Sequence, residues 1–155
     1  MKYKFLALSE CQFESFFLMS DSELAEYGAS WIEVDSSPGY PCRVTLEDAK
    51  VGERVLAISF THHDVKSPYR SSGPIFVREN AKRAILEVNQ VPLMLRHRLL
   101  SIRGYNSDAM MIEAEVVEGK ELHSHLHKLF LNPLIDYIHV HNAKPGCFNC
   151  TVVRA

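Results

Sequence analysis

Long apolar runs are missing from this sequence. Nowhere do about 18 apolar residues follow one another, so no segment is expected to cross a membrane as a helix. A basic surplus is missing too. With 17 Lys and Arg against 19 Asp and Glu, the net charge of -2 argues against a general nucleic-acid binder. The opening "MKYKFLALSECQ" has lysines, but its apolar patch "FLAL" stops at Ser9 and Glu10, too short for a signal-peptide core. The cytoplasm is the expected location. Cysteine is sparse. Cys11, Cys42, Cys147 and Cys150 are expected as free thiols, since no export signal places them in an oxidising compartment. Cys147 and Cys150 have C-x-x-C spacing, yet only "TVVRA" follows, so the helix that a thioredoxin-type motif needs has no room to form. A zinc ribbon would need a second such pair, and neither the P-loop pattern nor H-E-x-x-H occurs.

What is present suffices for one ordinary domain over 1–155: of 155 residues, 46% are hydrophobic and 23% charged. "SECQ" from Ser9 and "SDSE" from Ser20 are capping boxes, predicting helices over 10–19 and 21–27 that end at Gly28. "WIEV" and the nearly continuous apolar run "RVLAISF" (54–60) predict strands, the second one buried and central. A polar stretch, "THHDVKSPYRSSGP", reads as a fourteen-residue loop. Pro92 opens a predicted helix over 91–100. "SIRGY" and "MMIEAEVVE" flank "NSDA" as a hairpin. In its second strand Met110, Ile112, Ala114 and Val116 alternate with Glu113 and Glu115 as a half-buried face. A helix is expected from Gly119 to Phe130, then strands "YIHVHN" and "FNCTVVR". This order favours an α+β fold, a largely antiparallel sheet with short helices packed on it, over regular βαβ winding.

Eight histidines invite a functional reading. His123, His125 and His127 flank the apolar stripe of their helix, and solvated flank residues are the preferred reading there. His97, among charges, is expected to be exposed. His139 and His141 share one face of a strand with Tyr137, while Ile138 and Val140 take the other. If the latter face the core, the histidines face a cleft or form the polar outside of an edge hairpin. Three uses compete for a cleft. A divalent metal could take His139 and His141 with His62 as third ligand. One imidazole could act as general base, oriented by Asn142 or Asp108. Both could donate to an anion. H-x-H patterns with a following Glu or a third alternating His fail at Ala143 and Lys144. Cys147 is a candidate nucleophile beside His141, though an inert buried thiol is the simpler reading; strand register decides, and one residue of slip reverses the facing.

"SPYRSSGPIFVRE" combines Arg70, Ser71, Ser72, Gly73 and Arg78, small donors and guanidinium forks that can grip a carboxylate or phosphate. Arg43 sits in a second turn-rich loop, "PGYPCR".

Taken together, "SPGYPCRVTLEDA", "GERVL", "SPYRSSGPIFVRE", "LLSIRGYNSDAMM" and "YIHVHNAKPGCF" resemble the bacterial family called domain of unknown function 1203. The resemblance runs from about Asp35 to Phe148 and implies a bacterial protein distinguished by these loops; it supplies no activity.

The expectation is a cleft between the 62–73 loop, the 103–108 turn and the hairpin from His139 to Cys147, with Tyr105 and Asp108 on its wall. One function is a small-molecule enzyme acting on an acidic substrate, with His139, His141, Asn142 and Cys147 as catalytic groups and the arginines holding the acid. The other is a non-catalytic module that binds an anionic ligand or a partner. Neither nucleic acid nor membrane is an expected partner, and oligomeric state is not readable from the sequence.

Overall fold

A computed structural model describes residues 1–155. Its eight strands form two antiparallel sheets, with short helices packed on them, so the fold is α+β. The five-stranded sheet has the order β1 (Tyr3–Leu6), β8 (Phe148–Arg154), β7 (Tyr137–Asn142), β5 (Leu99–Tyr105), β6 (Met111–Glu118). The three-stranded sheet has the order β2 (Ser30–Glu33), β3 (Arg54–His63), β4 (Ser71–Arg78). No helix is long and apolar enough to cross a membrane.

Strand alternation gives the five-stranded sheet two different faces. Leu100 and Ile102 of β5, Ile138 and Val140 of β7, and Cys150 and Val152 of β8 point one way. They bury against Leu122, Leu126 and Leu129 of α4 (Leu122–Leu129) and against Met94 and Leu95 of α3 (Leu93–Arg96). Apolar area removed from water at ~25 cal/mol per Å² makes this the principal stabilising layer. The other face carries Tyr105, Tyr137, His139, His141 and Phe148, over which the far end of the β3–β4 hairpin lies. A second core, with Leu56, Ile58, Ile75 and Val77, packs against Phe13 and Leu24 beside α1 (Glu14–Phe17) and in α2 (Asp21–Glu26).

Several expectations change in the structure. The helix over 10–19 divides into a 3-10 turn and α1, because Ser9 caps only Cys11 N–H and makes no reciprocal bond with Gln12. The second capping box is complete: Ser20 Oγ accepts from Glu23 N–H, and Glu23 accepts from Ser20 N–H at 2.7 Å. The helix over 91–100 is one turn, α3, since Leu99 already belongs to β5. The fourteen-residue loop shrinks to 64–70, because β3 continues to His63 and β4 starts at Ser71. In β6 the half-buried face is reversed. Ile112, Ala114 and Val116 are exposed on this edge strand, and Glu115 instead lies under α4, where His125 and Lys128 bind it at 2.7 Å.

Candidate functional site

β7 is interior to its sheet, paired with β5 on one side and β8 on the other, so the edge-hairpin reading of its histidines does not hold. His139 and His141 are 3% and 1% exposed. Their face of the sheet is closed by His62 and His63 at the end of β3. His62 lies 5.1 Å from His141 and 6.1 Å from His139 between ring centroids, and it stacks on Phe148 at 5.0 Å. His63 sits 4.8 Å from His139 and 4.5 Å from Tyr105.

Hydrogen bonds fix most of the tautomers. His63 Nδ1 donates to Tyr69 O at 2.8 Å, so its Nε2 accepts the Tyr137 hydroxyl at 2.7 Å. Ser71 Oγ spends its proton on Tyr69 O and therefore accepts from His62 Nε2 at 3.1 Å. His141 Nδ1 donates to Gly146 O at 2.9 Å. Left over are His62 Nδ1, His139 Nδ1 and His141 Nε2, all buried without a partner.

Burial pushes His62, His139 and His141 down to about 4, about 2 and about 3. Neighbouring imidazoles and the Arg103 guanidinium contribute in the same direction, and at His141 the bond to Gly146 O opposes them. The seam between the sheets is thus filled with neutral imidazoles. No group of three His, Cys, Asp or Glu side chains is disposed to hold a metal ion. The expected metal set of His62, His139 and His141 does come together as packed rings, 5.1–6.1 Å apart between centroids. Phe148 packs beside all three, 5.0–5.7 Å from each ring centroid.

The other expected groups separate. Arg70 pairs with Asp64 on the surface at 2.9 Å. Arg78 pairs with Glu53 and Glu47 at 2.7 and 3.0 Å. Neither converges with Arg43, because each is neutralised by its own carboxylates. Ser71 serves His62, Ser72 bonds Thr61 at 2.8 Å, Gly73 lies in β4, and Asp108 donates its backbone N–H to Asn106 Oδ1 in the surface turn. Tyr105 is in the histidine seam rather than on an open wall.

Cys147 and Asn142 do meet Arg43. The connection 143–147 is closed by Asn142 N–H to Cys147 O and Gly146 N–H to Asn142 O, both 2.9 Å, and Gly146 has φ +82°, a conformation suited to glycine. A register shift beyond Val140 then sets His141 opposite Phe148 and Val140 opposite Cys150. Cys150 is sealed in the core, and burial raises its thiol to about 12. Cys147 stays half-buried and outside the ladder. Its Sγ accepts from Arg43 Nη2 at 3.2 Å and from Asn142 Nδ2 at 3.1 Å. Arg43 Nε donates to Phe148 O at 2.7 Å, and Nη1 donates to Pro41 O.

Arg43 is 1% exposed, and no carboxylate pairs with it. Arg43, Asn142 and Cys147 line a cavity of about 600 Å³, with Arg98, Lys144 and Phe76 among its other walls. Arg98 is already neutralised by Asp48, which leaves Arg43 and Lys144 as the free cations. No carboxylate lines the cavity.

The residues that sequence reading missed are Arg103, Phe148 and Asn149. Arg103 had a usable signal: it shares strand alternation with Tyr105, and β5 pairing sets it opposite His139.

Fold and site together describe an α+β protein with a histidine-filled seam and a cation-lined cavity beside it. Residues 39–154 match the family model described as a protein of unknown function, DUF1203, and the chain belongs to that family. No curated protein and no solved structure matches it.

Proposed function

We propose that this protein is a small-molecule enzyme that acts on an acidic substrate in the cavity beside Arg43. A buried guanidinium without a carboxylate is the observation that carries the reading. Burying an unpaired charge costs several kcal/mol, a penalty that an anionic ligand offsets. A guanidinium has five N–H donors, and the three bonds to Phe148 O, Pro41 O and Cys147 Sγ leave two of Arg43's for a carboxylate or phosphate. The chemical group within reach is Cys147. Its sulfur would attack an electrophilic carbon of the anchored acid. As the S–C bond forms at an acyl carbon, the thiol's proton passes to the leaving group, which departs with its bonding pair; water then adds, its oxygen takes sulfur's place on carbon, and one of its protons restores the thiol. His139 and His141 lie behind the site, in the seam, and do not line the cavity.

A thermal-shift series with inorganic phosphate, succinate and citrate tests the anion site. At least one should stabilise the wild type, with affinity reduced about tenfold in Arg43→Gln, the size expected for a hydrogen bond to charge. Because Arg43 is buried, Lys144→Glu on the exposed rim gives a second variant, expected to weaken the same ligand. No stabilisation by any of the anions overturns the reading. An acid that stabilises wild type and Cys147→Ser alike, and is recovered unchanged, makes the protein a binding module instead.

A further inference from the structure

Asn149 is wholly buried in β8, where an apolar residue would ordinarily be favoured, and its Oδ1 has no partner. A buried, unsatisfied carbonyl costs about 1–3 kcal/mol. The residue therefore makes poor sense as a stabilising element. Its other end makes one bond: Nδ2 donates to Asn142 Oδ1 at 2.9 Å. Asn142 in turn donates from Nδ2 to Cys147 Sγ at 3.1 Å.

An amide has an accepting end and a donating end, and either can be turned toward a neighbour. At Asn142 the choice matters. Its oxygen facing the sulfur would repel negative charge there, whereas its N–H₂ stabilises it. Asn149 gives an N–H to Asn142's oxygen, and in this arrangement the amino end of Asn142 faces Cys147. The Asn142 backbone is tied to the same connection through Cys147 O and Gly146 N, so the side chain has little other freedom. Arg43 brings a second donor to the sulfur, anchored by Phe148 O.

We infer that Asn149 is a positioning residue. Acting through Asn142, it holds an N–H donor on Cys147 and so sustains the reactivity of that sulfur toward carbon electrophiles. The inference rests on the reading of Cys147 as nucleophile given above.

Alkylation by iodoacetamide at pH 6.5, followed by peptide mass spectrometry, tests both ideas separately, with the exposed Cys11 as internal reference. Wild-type Cys147 is expected to react faster than Cys11. Asn142→Ala and Asn149→Leu should each slow Cys147 about tenfold, the effect of losing a hydrogen bond to a charged group. The double variant should be no slower than Asn142→Ala alone, because a residue acting through another adds nothing once that other is gone. Where Asn149→Leu fails to fold by circular dichroism, Asn149→Ala carries the same comparison.

Wild-type Cys147 reacting no faster than Cys11 overturns the nucleophile itself. A fast wild type with an equally fast Asn149→Leu overturns the relay and leaves the nucleophile standing. Additive losses in the double variant also overturn the relay, since Asn149 would then act by another route.

Discussion

Gly119 and Gly104 show how differently two residues of one type are constrained. A Cβ on Gly119 would lie 1.8 Å from Leu95 O and 2.8 Å from Leu95 C, so backbone would have to move. On Gly104 it would meet the tip of Ile135 at 2.7 Å, which a rotamer change can relieve. Gly119→Ala is expected to lower unfolding free energy by about 3 kcal/mol, and Gly104→Ala by about 1, in urea titrations. Neither constraint was visible in sequence, where Gly119 read only as a helix start. The same scale explains Cys147 and Cys150. Their spacing is plain in the sequence, but their facing depends on a single-residue register shift beyond Val140, so one thiol reaches the cavity and the other is locked in the core. Arg70 and Arg78 failed to join the site for a comparable reason. A guanidinium's partner is set by which carboxylate folds beside it, as Asp64, Glu53 and Glu47 do here.

At the level of elements, local chemistry was readable where it is self-contained. The Ser20–Glu23 box reads directly from "SDSE", and both of its bonds form. Ser20→Ala should cost about 1 kcal/mol, measurable as a lower urea midpoint with unchanged slope. The β5–β6 hairpin, the α4 helix and the last two strands were likewise legible from periodicity and turn residues. What alternation does not show is which face a neighbour covers. In β7 it put His139 and His141 together, correctly, but their burial comes from β3, a strand some eighty positions earlier whose last residues looked like loop. In β6 it grouped Ile112, Ala114 and Val116 as inward, and the opposite face won, because Glu115 found His125 and Lys128 on α4.

Across the whole molecule, the seam between the sheets makes stability depend on acidity. An unfolded chain protonates its histidines near pH 6.5, roughly the unperturbed value, while the folded protein holds His62, His139 and His141 neutral down to about 4, 2 and 3. Below the unfolded value the unfolded state binds more protons, so stability falls as pH falls; above about pH 7 these groups contribute no slope. Each proton withheld changes stability by about 1.4 kcal/mol per pH unit. Melting temperature should therefore drop between pH 6.5 and 4, and His139→Gln should show a shallower drop than wild type. Equal slopes in the two proteins would mean that the seam is not what responds to acid.

The pairing of β1 with β8, Tyr3 opposite Arg154, carries a consequence in time. During synthesis Tyr3 and Phe5 are made more than a hundred residues before β8, the strand they pair with. Until β8 is made these two aromatic residues lack their partner strand, although both end wholly or almost wholly buried. β1 must wait for β8 to be made before it can pair, and a chain cut short before Phe148 leaves Tyr3 and Phe5 without their partner.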